Sequence, residues 1–507
     1  MSASRAETWD RLGRSPFDVL VIGGGIIGSR IAFEAARAGL KVALVDAGDF
    51  GGGTSSGSSK LIHGGFRYLP MGDLGLVWES QHERRALMGK VAPHLVRRMP
   101  MVLAAYRGGP TSPAVAAAGV LAYGAICGWR GTGVGFRRAR AAEQLVPSLR
   151  TDGLRVCGLF DEGQTNDARL VLATVKAAAG LGATVLNHAR VIGLDRPRHR
   201  LAGASVQGCD GEGVVEVRFR YVINAAGPWV DRIRELEDAT CERMVRLSKG
   251  VHLMLDLPAD WQAGLVVPLE GGRVTMALPW QGMLMLGTTD TDFEGDPAGC
   301  AVTRQDVAQV LREASIALPG DVVRAEAVRY SFAGLRVLPL GGDTTASSRR
   351  EHLIRTGRFG MVSIAGGKLT THRRIALEAL RRLPEPRLSN LRLVDEPLAR
   401  AAEACDGEGI DPGVVKHLTQ IYGSASLAVL LQHRHRANAL ERVHPEGPDI
   451  WAQVYHALES EWAMTVEDIV RRRTTLAVRG LASPAVRAEV ARAMVSSPAL
   501  AGAQSSL

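Results

Sequence analysis

Three glycines near the N-terminus do most to limit what this chain can fold into. The run "FDVLVIGGGIIGSRIAFEAARAG" spans Phe17 to Gly39. Its apolar start ends at Gly23 and reads as a buried parallel strand. "IIGSRIAFEAARAG" then has helical spacing and closes on Gly39, which suits a C-terminal cap. "LKVALVDAG" returns as a second strand. A strand, a helix and a strand, with Gly23, Gly25 and Gly28 as G-x-G-x-x-G at the first junction, open a doubly wound sheet that binds a dinucleotide. The first glycine makes the turn, the second lets the backbone approach a pyrophosphate, and the third lets helix meet strand. Free N–H groups at the helix start hold the anion. Asp46 ends the second strand, where an acid binds the hydroxyls of the adenosine ribose. Nicotinamide and flavin dinucleotides both satisfy this much.

The stretch "GGTSSGSSKLIHGGFRYL" from Gly52 to Leu69 separates them. It has too many small residues for a helix and too few apolar ones for a buried strand. Thr54, Ser55, Ser56, Gly57, Ser58 and Ser59 form a close-approaching strip with many small hydrogen-bonding groups. A flavin must be reached from the side by backbone, and a nicotinamide enzyme needs no such segment directly after its second strand. A disordered linker is disfavoured, because "KLIHGGFRYL" follows with no polar spacer.

The rest of the 507 residues suggests roughly three domains. Residues are 46% hydrophobic and 22% charged, enough for packed cores. Two later segments, "FRYVINAAGPWVD" and "GRFGMVSIAGGKLTTHRRIALEAL", again break an apolar run at small residues and restart as a helix. Strands of the first sheet therefore return from far along the chain. The expected architecture is α/β with α+β. A discontinuous Rossmann-like cofactor domain takes 16–84, 151–240 and 346–385. An inserted antiparallel-sheet substrate domain takes 85–150 and 241–345, and an all-α C-terminal domain takes 386–507. Pro384, Pro386 and Pro397 mark the linker before the last domain.

The net charge of +9 suits nucleic acid, an anionic membrane or an anionic substrate. No helix-turn-helix, zinc-finger or RNA-recognition pattern accompanies it, so nucleic acid is not expected. The six cysteines have no metal spacing and no CxxC, as in a reducing compartment. The N-terminus lacks the apolar core of a signal peptide, so an intracellular protein is expected. From Gly108 to Trp129 there is no charge. Its apolar part, "AVAAAGVLAYGAICGW", is short of the roughly 20 residues a span needs. A buried or interfacial helix is expected, with Arg107, Arg130, Arg137, Arg138 and Arg140 placed either to meet anionic headgroups or simply to be solvated.

Together, "DVLVIGGGIIGSRIA", "TSSGSSKLIHGGFRYL", "DARLVLATVKAAAGLGATVLNHARV", "VINAAGPWVD", "KGVHLML", "GTTDTDFEGDP", "AGGKLTTHR" and "WAMTVEDIVRRRT" resemble the flavin-dependent glycerol-3-phosphate dehydrogenases. The resemblance implies FAD, oxidation of sn-glycerol 3-phosphate to dihydroxyacetone phosphate, and electrons passed to a membrane quinone. It also implies peripheral attachment at the inner face of the cytoplasmic membrane and, often, a homodimer. It extends the cofactor contacts to Lys60, Leu61, His63, Gly64, Gly65, Ala226, Gly227, Gly367, Lys368, Leu369 and Thr370, beside Gly23, Gly25, Gly28, Asp46, Thr54, Ser55, Ser56, Ser58 and Ser59.

The residue chemistry agrees. Oxidising a secondary alcohol requires loss of the hydroxyl proton and of a hydride to flavin N5. His63 is the expected base, since a histidine takes a proton near neutral pH with little tuning. The substrate phosphate needs forked cations. Arg67 lies close to His63, Arg336 and Arg350 match substrate-binding positions of the family, and Tyr68 adds a hydroxyl. His252 and His352 are further candidates, each as a substrate or structural contact, with His252 favoured for the substrate. Lys368 and the helix start after Gly366 and Gly367 would stabilise negative charge on the reduced flavin. Two other reactions share much of the pattern: oxidation of the same substrate by oxygen, and amine or amino-acid oxidation. An amine needs no phosphate cluster. A non-catalytic or RNA-modifying flavoprotein needs neither base nor cluster.

Overall fold

Val19, Leu20 and Val21 are fully buried, as befits a strand at the centre of a sheet covered on both faces. The computed structural model describes residues 4–66, 73–127, 133–209, 211–340, 352–398 and 410–496. Phe17–Ile22 lies between Val42–Val45 and Val214–Asn224, parallel to both. The sheet runs in the order His352–Thr356, Val362–Gly366, Val214–Asn224, Phe17–Ile22, Val42–Val45, Thr184–Leu186. All its neighbours are parallel except the first pair. Alternate residues face opposite layers, as a period of two requires. Val19 and Val21 pack with Ile31, Leu170 and Ile375 of the helices Ile26–Arg37, Asp167–Gly180 and His372–Leu380. Leu20 and Ile22 pack with Leu12 of the N-terminal helix Arg5–Arg14 and with the antiparallel strands Ala189–Asp195 and Gly203–Gly208.

The second sheet follows the order Thr291–Phe293, Val245–Asp256, Met283–Gly287, Val274–Trp280, Gly264–Pro268, Val96–Tyr106, Leu154–Thr165, Leu61–Ile62. Val328–Pro339 also pairs along Val245–Asp256. One neighbour pair is parallel, Gly264–Pro268 with Val96–Tyr106. This corrects the sequence-based partition. Leu154–Thr165 and Leu61–Ile62 were expected in the cofactor domain, yet they pair antiparallel within this sheet. A short strand carries no local mark of which sheet it joins. Leu61–Ile62 joins it through Leu154–Thr165, which in turn pairs along Val96–Tyr106, so each partner lies outside the segment itself.

The chain after 410 is helical, with Pro412–Tyr422, Ser426–His433, Trp451–Ser460 and Pro484–Val495 as its main helices. It docks on the cofactor domain through a buried pair. Arg169 donates to both carboxylate oxygens of Glu461 at 2.8 and 2.7 Å. Burial alone would raise that carboxyl, but Arg169 reverses the effect and holds it well below the usual carboxylate range.

Candidate active site

The cofactor cradle forms at the carboxyl ends of the parallel strands, where open α/β sheets bind ligands. Gly23 has φ +104°, and a Cβ on Gly28 would lie 1.8 Å from the Gly23 carbonyl oxygen. No other residue fits this turn. The helix Ile26–Arg37 starts at Gly25 with no side-chain cap and no acid in its first turn. Its leading N–H groups are thus suited to an anion. Ser55 Oγ accepts from the first of them, the Ile26 N–H, at 3.0 Å, which brings the strip 54–60 to the helix start. Asp46 accepts from the Gly24 N–H at 2.6 Å and the Gly48 N–H at 2.8 Å. Burial pushes its carboxyl up to about 6, against the pull of those two donors. Ala226 and Gly227 turn beside this loop, and the Trp229 ring closes on Gly53. An uncapped helix start, a glycine turn and an acid at the second strand's end fit the pyrophosphate and ribose of a dinucleotide such as FAD.

The strip 54–60 bridges the two sheets. Thr54 Oγ1 donates to the Leu335 carbonyl at 2.7 Å. Gly57 and Gly334 touch backbone to backbone, and a Cβ on Gly334 would lie 2.3 Å from the Gly57 carbonyl oxygen. Ser58 Oγ donates to Asp167 at 2.6 Å. Lys60, 4% exposed, donates to Asp167 at 2.7 Å and to the Ser56 carbonyl at 2.6 Å. Its ammonium also faces the rings of Phe332 and Trp280. The charge of Lys60, a residue expected among the cofactor contacts, is thus committed to a buried pair. Asp167→Asn strands the Lys60 charge and is expected to destabilise the protein by about 3–5 kcal/mol. Thermal unfolding checks this, and the double change Lys60→Met with Asp167→Leu should recover most of the loss.

Ser59 Oγ lies 2.9 Å from His252 Nε2, and the His252 ring stacks on Phe332 at 5.0 Å. Burial, with Lys60 and Arg336 nearby, pushes the imidazole down to about 3, so it is neutral. His252 was expected as a substrate contact. The structure buries its ring, with Nε2 against Ser59 and the ring face on Phe332 of the adjacent strand Val328–Pro339.

His63 follows the strand Leu61–Ile62 where the two sheets meet. Its carbonyl accepts from Thr370 Oγ1 at 3.2 Å. The next N–H, that of Gly64, donates to Glu162 at 2.5 Å. Glu162 is itself held by Arg84 at 2.8 Å and by the Tyr123 hydroxyl at 3.1 Å. The residue is thus pinned from the cofactor side by one bond and from the substrate side by the other. Gly366 and Gly367 carry the chain from Val362–Gly366 to Lys368, Leu369 and Thr370, with Lys368 buried. Arg336 sits on Val328–Pro339. Its guanidinium donates to Asp290 at 3.0 Å, to Thr288 Oγ1 at 3.0 Å and to the Thr289 carbonyl at 3.0 Å. It keeps 31% of its side chain exposed. His352 pairs with Glu378 at 2.9 Å. Arg67, Tyr68 and Arg350 lie outside the described residues, as does Arg130.

Sequence reasoning missed the acids that hold this site: Asp167, Glu162 and Asp290. A signal existed for one, since Asp161 and Glu162 interrupt the apolar strand "LRVCGLFDEGQT". A carboxylate inside a buried strand calls for a cation, which Arg84 supplies.

Comparison with known proteins adds to this geometry. Residues 18–373 match the family model described as FAD dependent oxidoreductase. Residues 362–499 match that of the C-terminal domain of alpha-glycerophosphate oxidase. The chain is 34% identical to glycerol-3-phosphate dehydrogenase 2 of Mycobacterium tuberculosis strain H37Rv, covering 94% of this chain and 84% of that one. It is 34% identical to a probable mitochondrial glycerol-3-phosphate dehydrogenase of Caenorhabditis elegans, covering 91% and 68%. Among solved structures, the Bacillus halodurans glycerol-3-phosphate dehydrogenase complexed with FAD aligns with a TM-score of 0.76 at 26% identity, over 98% of this chain and 93% of that one. The L-alpha-glycerophosphate oxidase of Mycoplasma pneumoniae shares the fold, with a TM-score of 0.58 at 17% identity, over 73% and 95%.

Proposed function

This chain belongs to the FAD-dependent glycerol-3-phosphate dehydrogenase family with FAD as its cofactor, and on that footing we propose that it oxidises sn-glycerol 3-phosphate to dihydroxyacetone phosphate and delivers the electrons to a membrane quinone. The observation that carries the reading is the convergence at one junction of His63, the Gly366–Thr370 turn and the Thr54–Ser59 strip, with Arg336 on the strand that touches the strip at Gly334. When bound, FAD supplies the acceptor for the hydrogen that leaves the substrate carbon. His63 takes the hydroxyl proton. Its backbone is fixed from two domains, so the ring needs little reorganisation. Arg336 meets the phosphate with the positive charge of a guanidinium whose two Nη groups are oriented by Asp290, Thr288 and Thr289. Lys368 adds positive charge beside the cofactor.

The quinone part rests on an apolar surface. Among the described residues no helix is long and apolar enough to cross a membrane. The helices Leu74–Ala86 and Pro113–Cys127 pack together, and they expose Leu74, Trp78, Val115 and Leu121 at 56%, 59%, 60% and 48%. Exposed apolar side chains on two helices that pack together suit a peripheral contact with lipid. Oxygen as acceptor is the competing reading.

Purified holoenzyme is expected to be yellow and to bleach on anaerobic addition of glycerol 3-phosphate. Flavin that stays oxidised at saturating substrate would overturn the proposal. Re-oxidation of the bleached enzyme by a quinone analogue but not by oxygen distinguishes dehydrogenase from oxidase.

Asp46 gives a pH prediction. Ribose hydroxyls donate to its ionised form, and its carboxyl titrates at about 6 before FAD binds. FAD affinity is therefore expected to hold above pH 6 and to fall by up to about tenfold per pH unit below it. Asp46→Asn should flatten the profile, as fluorescence titration of apoprotein can read.

A further inference from the structure

The motif "WAMTVEDIVRRRT" from Trp462 to Thr474 takes no part in the site described above. We propose that through it the C-terminal helical domain clasps the adenosine half of the FAD site, with Arg473 as the positioning residue for the Asp46–Phe50 loop. The proposal rests on the reading of Asp46 as the ribose-binding acid.

Asp49 lies in that loop and is 1% exposed. It accepts both Nη groups of Arg473 at 2.8 Å and Nε of Arg472 at 2.5 Å. Arg473 is fully buried and also donates to the Glu461 carbonyl at 2.7 Å. A buried guanidinium with a forked carboxylate partner is a fixed geometric constraint. Next along the chain, the Phe50 ring meets Trp462 edge-on at 5.6 Å. Phe50 Cδ1 would lie 2.4 Å from a Cβ on Gly24. The domain's tryptophan therefore bears, through Phe50, on the glycine turn that receives the pyrophosphate.

The loop's outer edge is held by the same motif. Asp46 and Gly48 accept backbone bonds from Ala189 at 2.7 Å and His188 at 2.8 Å. His188 pairs with Asp468 at 2.9 Å, and Asp468 pairs with Arg472 at 2.8 Å. Asn187 Nδ2 donates to Asp49 at 3.1 Å and to the Trp462 carbonyl at 2.7 Å. Asp49, His188 and Asp468 stand close enough together to hold a metal ion, but the guanidinium groups of Arg472 and Arg473 already supply the positive charge there. From the N-terminal helix, Arg5 donates to the Asn187 carbonyl at 2.9 Å. Asp46 itself bonds only to backbone, at Gly24 and Gly48. Its orientation is set by a loop whose buried guanidinium anchors, Arg472 and Arg473, lie more than 400 residues downstream.

The test uses the full-length chain carrying Arg473→Gln, stripped of FAD and reloaded. FAD dissociation constants are read by fluorescence titration, and melting temperatures are taken with and without FAD. The expected result is a dissociation constant raised at least about tenfold and a smaller gap between the two melting temperatures. A melting temperature lowered equally in both forms, with the FAD constant unchanged, makes the contact merely structural and overturns the proposal. If Arg473→Gln fails to fold, Trp462→Ala keeps the ion pairs while releasing Phe50. It should weaken FAD by about three- to tenfold, and an unchanged constant likewise overturns the clasp. Asp46→Ala is measured beside them. If it leaves FAD affinity intact, the ribose reading fails by itself, whatever Arg473 does.

Discussion

Replacing His63 by asparagine is expected to slow anaerobic reduction of the bound FAD by glycerol 3-phosphate by roughly 10²–10⁴-fold, the usual worth of a positioned base. The substrate's dissociation constant should move by less than about threefold, since the lost function belongs to the transition state. Asparagine is the informative replacement. It keeps a planar, hydrogen-bonding side chain of similar reach but cannot accept the proton of an alcohol. The backbone at this position has anchors of its own. Its carbonyl is held by Thr370, and the following N–H is held by Glu162. The variant should therefore fold, load FAD and bind substrate. Stopped-flow absorbance of the flavin band separates the reduction step from binding. A rate within a few-fold of the parent would remove His63 from the role of base. Bleaching at the normal rate with weaker binding would make it a substrate contact instead.

How much of this was legible in the sequence depends on where each residue's partner lies. Gly23, Gly25, Gly28 and Asp46 were readable because turn, helix start and acid lie within one strand–helix–strand unit, and local spacing states the geometry. The strip 54–60 was only half readable. Its small residues announced close approach, but its side chains turn inward to partners 281 residues away at Leu335 and 109 away at Asp167. No local pattern says whether a serine faces a cofactor or a buried carboxylate. The pairing of Lys60 was hidden for the same reason. A lysine in a glycine- and serine-rich run shows no partner until Asp167, at the start of a distant helix, is brought beside it. His252 reads alike as ligand or core from its own strand "KGVHLML", and its contacts with Ser59 and Phe332 come from distant segments. The helical texture of the C-terminal domain was plain. Its contact with Asp49 was not, because an arginine that pairs across 424 residues looks like any other in an arginine-rich chain.

Arg336→Ala is expected to raise the dissociation constant for glycerol 3-phosphate by about 30-fold or more, since truncating one partner of a charge-assisted contact costs about 2–5 kcal/mol. Affinity for glycerol, which lacks the phosphate, should hardly change. The guanidinium is fixed before substrate arrives. Asp290, Thr288 and Thr289 hold it from behind, and 31% of its side chain stays accessible. Preorganisation of this kind lowers the ordering cost of binding. Arg336→Lys keeps the charge and loses the fork, so its effect should be intermediate. Stability gives the control. Asp290 is 51% exposed, and exposed pairs contribute only about 0–1 kcal/mol, so the melting temperature of Arg336→Ala should stay close to the parent's. A large fall in melting temperature with unchanged affinity would make Arg336 a strut between Val328–Pro339 and the Thr288–Asp290 turn. Equal affinity of the parent enzyme for glycerol and its phosphate would contradict a cationic pocket altogether. A selective loss of the phosphate ester alone ties this arginine to the dianion, leaving His63 to the proton. The two variants then separate substrate recognition from chemistry on opposite sides of one junction.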